Sequence, residues 1–272
     1  MATMSFREAE HAGWTARADS YDAALAAVTG QAIPHILAAL NDNLAGLAML
    51  DACCGPGHLA AAAAARGAQV EGIDFATTMV ALAQHNYPAI RFCEGDAERL
   101  PQADASLDVV TCAFGMMHME RPDAAIAEAF RALRPGGIFA FTQWAADDEL
   151  LGIVAAAVAA QGNPRVDLPP APPLMRFSDP DECQRTLLAH GFTEVLVGRI
   201  ALVWRGDRPE AVLDLIHGGA VRAAMLIESQ VPKDRERIHA AILEAVSARR
   251  SSDGSYLVQR PAVLATGRRP IE

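Results

Sequence analysis

Three carboxylates and a glycine turn carry the first chemical signal in the chain. Asp51 closes the apolar run LAMLDA and is followed by Cys53-Cys54-Gly55-Pro56-Gly57. Gly55 and Gly57 let the backbone approach a ligand with no Cβ in the way. A helix starting just beyond them would add free N–H donors and a partial positive charge. At that position the Asp51 carboxylate would accept hydrogen bonds from a cationic or amino-bearing group. Asp74 ends the next apolar run, QVEGID, where a carboxylate can hold the two hydroxyls of a ribose. Asp96, in EGDAE, follows the third run, and an acceptor there can meet an exocyclic adenine amine. Acids at the carboxyl ends of successive parallel strands line the crevice where such sheets bind ligands. A tight strand–helix corner and three unconnected turn or N-cap aspartates are the plainer readings of the same residues.

Holding three acids in that relation requires alternating strands and helices. LAMLDA, QVEGID, AIRFCEG, SLDVVTCAF and IFAFTQ read as strands; HLAAAAAARG, ATTMVALAQHN and DAAIAEAFRALRPGG read as helices. Near-continuous apolar strands, each followed by a crossover helix, imply a parallel sheet covered on both faces. Right-handed crossovers make it doubly wound. Before it, Ser20 to Leu40 reads as two short helices broken by Gly30 and Pro34. After Trp144 the rhythm changes. Residues 147–176 hold one Ala-rich helix and then NPRVDLPPAPPLMRF, whose prolines exclude helix interior and central strand and mark a candidate lid. A helix near Pro180–His190, one strand GFTEVLVGRIALVW, two helices near Pro209–Ile227 and Pro232–Ala248, and one strand SYLVQRPAVLATGRR complete the chain.

Composition narrows the partners. The 272 residues carry 23 basic and 33 acidic side chains, a net charge of −10. That balance argues against nucleic acid, whose affinity rests on clustered Lys and Arg, and against a polybasic membrane surface. Five cysteines, with no CxxC pair, fit a reduced intracellular protein without a metal site. The N-terminus has no apolar signal core. The longest apolar stretch, Leu150 to Ala160, is about 11 residues, short of the roughly 20 that span a bilayer. A cytoplasmic monomer or homodimer acting on a small molecule, without membrane insertion, is the expectation.

The ordered stretches LDACCGPG, GIDFATTMVALA, EGDAERLP, SLDVVTCAFGMMHM and LRPGGIFAFTQW carry a family resemblance. Together they resemble the class I S-adenosylmethionine-dependent methyltransferases, particularly the ubiquinone/menaquinone-biosynthesis-like group acting on small molecules. The resemblance implies an α/β fold: a doubly wound, mostly parallel seven-stranded Rossmann-like sheet with helices on both faces and an inserted helical cap. Residues 1–45 would close over the cofactor; 46–146, 177–205 and 255–269 would form the core; 147–176 and 206–254 would form the cap. It also implies S-adenosylmethionine as cofactor and S-adenosylhomocysteine as product. Asp51, Gly55 and Gly57, with Cys53 among them, would hold the methionine end and Asp74 the ribose. Phe75 and Met79 would flank the adenine, Asp96 and Ala97 would touch its edge, and Cys112 or Ala113 would line the floor near the sulfonium. Cys53 stands where the family usually has glycine, and a cysteine is small enough to fit.

In WTARADSYD, Trp14, Arg17 and Tyr21 resemble the segment that closes over the cofactor in these enzymes, with Tyr21 and Arg17 on its carboxylate. An aromatic staple for the first helix is the alternative. His118 would face the methyl donor, as a base where the acceptor must lose a proton or as a polar wall. Trp14, Met117, Trp144, Met175 and His217 would line the acceptor side. Such apolar walls suit a neutral, apolar or aromatic acceptor, unless Arg176, Arg199 or Arg222 faces it instead. Two other functions fit the sequence. Gly55-x-Gly57-x-x-Ala60 satisfies the loose dinucleotide fingerprint of an NAD(P)-dependent oxidoreductase. An S-adenosylmethionine-binding cyclase, decarboxylase or sensor would keep the cofactor without methyl transfer.

Overall fold

A computed structural model of the chain describes residues 4–40 and 43–271. Residues 1–3 and 41–42 of the expected 1–45 prelude lie outside the described residues. The strands are β1 (Ala48–Ala52), β2 (Gln69–Asp74), β3 (Arg91–Glu94), β4 (Leu107–Ala113), β5 (Leu133–Trp144), β6 (Thr193–Ile200), β7 (Val203–Gly206), β8 (Tyr256–Gln259) and β9 (Ala262–Arg268). The helices are α1 (Phe6–Thr15), α2 (Ala18–Ala24), α3 (Ala26–Thr29), α4 (Ile33–Leu40), α5 (His58–Ala64), α6 (Thr77–Asn86), α7 (Pro122–Ala132), α8 (Glu149–Gln161), α9 (Pro180–Ala189), α10 (Ala211–Gly219), α11 (Val221–Glu228) and α12 (Pro232–Ser247).

Seven strands form one sheet in the order β3-β2-β1-β4-β5-β9-β6. The first five pair in parallel, and β9 runs antiparallel between β5 and β6. This is the doubly wound, mostly parallel seven-stranded sheet expected. Side-chain alternation along each central strand feeds two cores. Met49, Val109, Ile138 and Ala140 pack on one face, while Leu50, Val110, Phe139 and Phe141 pack on the other. Burying each large side chain of this kind stabilises the fold by roughly 1.5–3 kcal/mol. The strand order reverses between β1 and β4, so the ligand crevice opens at their carboxyl ends.

The C-terminal half departs from the sequence reading. GFTEVLVGRIALVW is two strands, not one. After Ile200 the chain leaves the sheet, and β7 pairs with β8 in a separate antiparallel ribbon. The final segment is split in the same way. Pro261 has no N–H to give a ladder, so β8 ends before it and β9 starts after it. Among the described residues no single helix is long and apolar enough to cross a membrane.

Candidate active site

Asp51 and Asp74 stand at the carboxyl ends of neighbouring strands because β1 and β2 pair in register, Asp51 opposite Gly72 and Ala52 opposite Ile73. Between them the chain turns through two left-handed glycines, Gly55 at φ 51° and Gly57 at φ 87°, before α5 begins. Cys53 shares that left-handed backbone at φ 57°. This is the physical reason a glycine suits the position. The Gly55 N–H donates to Asp74 Oδ2 at 3.0 Å, and the Ala76 N–H donates to Oδ1 at 2.9 Å. Thr111 donates its hydroxyl to Asp51 Oδ1 at 2.8 Å. Burial pushes Asp51 up to about 7 despite that hydrogen bond. Burial also raises Asp74, against the Ala76 and Gly55 N–H groups. Two buried carboxylates held above their usual range favour a cationic partner.

The cleft beside them encloses about 560 Å³, part of it open to solvent. Its walls include Cys53, Gly55, Asp74, Phe75, Met79, Ala113 and Trp144 from the sheet side. Asp51 lines an adjoining recess that shares Tyr21, Cys53, Gly55 and Ala113 with the main cleft. The Cys53 thiol is held well above the ordinary thiol range by its hydrogen bond to Cys112 and by burial, so this floor is neutral and not nucleophilic. Trp144 is braced by Phe114 at 4.3 Å between ring centroids and by the Arg260 guanidinium 3.9 Å from its ring centroid.

The roof comes from the N-terminal helices. A capping box at Ser5 and Glu8 starts α1, and its apolar face buries Phe6, Ala9 and Trp14. Trp14 and Tyr21 both line the cleft, at 5.5 Å from each other edge to face. His118, on a short 3-10 turn (Met116–His118) after β4, lines the cleft beside this roof. Its Nδ1 lies 2.8 Å from Glu10 Oε2, and its ring meets Trp14 edge to face at 4.8 Å.

Several expected residues lie elsewhere. The Asp96 carboxylate is taken by Arg7 at 2.9 Å and by the Glu98 N–H at 2.9 Å, and Ala97 is packed in the core. Neither lines the cleft, because α1 brings Arg7 to the end of β3. Gly57 acts through its backbone only: a Cβ there would stand 2.7 Å from Phe92. Arg17 is committed to the His217 carbonyl, the Gly13 carbonyl and Glu228, and so is not on the cleft. His217 faces His239 at 3.1 Å on α12. Met117 lines a different cavity, shared with Pro172, Pro173 and Leu174 of the proline-rich segment. Met175 points outward, 38% exposed. That segment therefore walls a neighbouring cavity, and α1–α3 cover the cleft itself. Sequence reasoning missed Glu10, Leu25, Thr29, Phe114 and Gly219, all at the cleft or its support. Only Glu10 left a trace, as an acid on an otherwise apolar helix face.

A family model for a methyltransferase domain matches residues 50–141. A demethylmenaquinone methyltransferase of Deinococcus radiodurans is 32% identical over 182 residues, 59% of this chain and 75% of that one. The chain belongs to the class I S-adenosylmethionine-dependent methyltransferases of the ubiquinone/menaquinone type. This methyltransferase also shares 36% identity over 105 residues with a malonyl-[acyl-carrier protein] O-methyltransferase of Pectobacterium atrosepticum, a match covering 42% of that protein. The fold is that of the YcgJ protein of Bacillus subtilis, with a TM-score of 0.57, 20% identity, and 89% and 97% of the two chains covered. It is also that of phosphoethanolamine N-methyltransferase 2 of Haemonchus contortus bound to S-adenosylhomocysteine, with a TM-score of 0.54, 17% identity, and 88% and 52% covered.

S-adenosylmethionine is the cofactor of this methyltransferase. The cleft suits it on its own terms. A Cβ built on Gly55 would meet nothing within 4 Å, so open space lies directly against the turn. The two buried carboxylates that border that space match a ligand carrying positive charge and hydroxyls.

Proposed function

We propose that this methyltransferase acts on a small, largely apolar or aromatic molecule whose reacting atom gives up a proton. The observation that carries this reading is the aromatic and apolar lining of the cleft. Trp14, Tyr21, Leu25, Phe114 and Trp144 supply its surface, with His118 as its one ring able to take a proton. Among the described residues no Arg or Lys lines the cleft. Arg176 is tied to Asp123 and Glu182, Arg199 to Asp147, and Arg222 to the Pro169 carbonyl. An anionic acceptor would find no cation to hold it. A flat, neutral ring would find aromatic faces and edges.

In this reading Asp74 takes the ribose, Asp51 and the Gly55 turn take the methionine end, and Phe75 and Met79 flank the adenine. The sulfonium supplies an activated methyl group. What remains for the chain is alignment, exclusion of water and removal of a proton. The quinone and acyl-carrier-protein substrates in the names of the relatives suggest two acceptors to try. Radiolabelled S-adenosylmethionine should be incubated with 1,4-naphthohydroquinone and, separately, with malonyl-loaded carrier protein. A labelled naphthol product with stoichiometric S-adenosylhomocysteine is the expected result. Labelling of the carrier protein alone would overturn the aromatic reading. Turnover without S-adenosylhomocysteine would favour a cyclase or decarboxylase. Asp74→Ala should abolish thermal stabilisation by the cofactor, and an unchanged shift would remove Asp74 from the ribose.

A further inference from the structure

We infer that Glu10, on α1, is the positioning residue that makes His118 a base, a role that rests on the methyl-transfer reading above. Glu10 is fully buried, its Oε2 lies 2.8 Å from His118 Nδ1, and its Oε1 has no hydrogen-bond partner. It sits on the helix face that otherwise buries Phe6, Ala9, Gly13 and Trp14. For folding alone, an apolar side chain would serve better there, since a buried carboxylate with half its acceptor capacity empty is destabilising.

The pairing fixes the chemistry of the ring. With Glu10 Oε2 as the acceptor, the ring proton sits on Nδ1 and the lone pair on Nε2. His118 lines the cleft with its side chain 21% exposed, and among the described residues Nε2 has no protein partner. Trp14, one turn after Glu10 on the same helix, packs edge to face on the ring and holds its plane. The acceptor's proton passes to Nε2 as the acceptor atom bonds to the methyl carbon and the sulfur–methyl bond breaks, its electron pair staying on sulfur. The imidazolium then returns the proton to solvent. Glu10 faces a neutral ring before the transfer and a cation after it. Its interaction therefore strengthens along the reaction, which is the requirement for lowering a barrier. A carboxylate that merely clasped α1 to the sheet would affect cofactor retention and leave turnover alone.

The test separates these roles. Histidine-labelled 15N protein, saturated with S-adenosylhomocysteine, reports the tautomer of His118, assigned by its loss in His118→Asn. The neutral ring should carry its proton on Nδ1 in the wild type. Glu10→Leu, which removes the acceptor at similar volume, should shift it towards Nε2. Glu10→Leu should also fold with an undiminished melting temperature. With 1,4-naphthohydroquinone as acceptor, Glu10→Gln should lower kcat about 100-fold, with KM and the S-adenosylhomocysteine Kd within twofold. Glu10→Asp should recover part of the loss. A wild-type proton on Nε2, or unchanged kcat with weakened cofactor binding, overturns the inference. If the wild type neither binds the cofactor nor yields product, the methyl-transfer reading fails instead, and the tautomer measured on the cofactor-free protein still decides whether Glu10 sets the ring.

Discussion

Replacing Asp51 with asparagine should flatten the pH dependence of folding. The Asp51 carboxyl is 1% exposed, and burial raises it from 3.8 to about 7 in the folded chain. Below about pH 4 it is protonated in both states and has no effect on the balance. Between about 4 and 7 the folded chain keeps a proton that the unfolded chain has released. Stability therefore falls as pH rises, by up to ~1.4 kcal/mol per pH unit. Above about 7 both states are ionised and the full loss, ~4 kcal/mol, is in place. Between pH 5 and 8 the change attributable to Asp51 is roughly 2–3 kcal/mol. Asp74 shifts in the same direction for the same reason, so the wild-type slope contains both groups. The difference between wild type and Asp51→Asn isolates one. Urea unfolding without cofactor at pH 5, 6, 7 and 8 should show the wild type losing roughly 2–3 kcal/mol relative to the variant. With Asp51 on the cofactor's ammonium group, S-adenosylhomocysteine affinity should rise about tenfold from pH 6 to 8 in the wild type and stay flat in Asp51→Asn. Parallel stability curves for the two proteins would refute the reasoning.

Three further outcomes follow from local geometry. Cys53→Gly should raise stability by about 1 kcal/mol in urea, by relieving a left-handed cysteine; no gain would show the turn to be unstrained. Gly115→Ala would place a Cβ 2.7 Å from both the Cys112 Sγ and the Cys53 Cβ. It should destabilise by ~1–3 kcal/mol, and Cys53→Gly in the same chain should recover part of that loss, measured as a double-mutant cycle. Asp148→Ala should lose ~3–5 kcal/mol. It strands the buried Arg260 guanidinium and removes the acceptor for the Leu150 and Leu151 N–H groups at the start of α8. A melting temperature close to wild type would contradict this.

The sheet side of the site was legible because its signals are local. Asp51, Gly55, Asp74 and Phe75 each sit within a few residues of a strand end, and strand ends show as breaks in apolar runs. The roof was not, because its defining contacts join distant parts of the chain. Glu10 and His118 are 108 positions apart, and Arg7 and Asp96 are 89 apart. No periodicity reports such pairs, so the sequence alone presents Asp96 as an acceptor, and the fold gives it to Arg7. The β7–β8 ribbon was hidden for a related reason. Apolar residues run on through Ile200–Trp204 without a turn signal, and only tertiary packing breaks the strand there. The prolines correctly marked an irregular segment, but composition does not say which cavity such a segment covers.

The same two acids tie folding to binding. Asp51 and Asp74 are both raised chiefly by desolvation, and the Asp74 charge adds to the rise at Asp51. For the free chain this arrangement is destabilising, and an apolar pair would fold more tightly. A ligand that brings positive charge and hydroxyls between them supplies the missing partners and binds the folded state alone. At 100 times its Kd it would add ~2.7 kcal/mol, the same order as the loss that Asp51 alone imposes near neutral pH. Local rules of core composition are broken at Glu10, Asp51 and Asp74, and all three border or brace one cleft. Departures of this kind cluster where function selects residues that folding alone would replace.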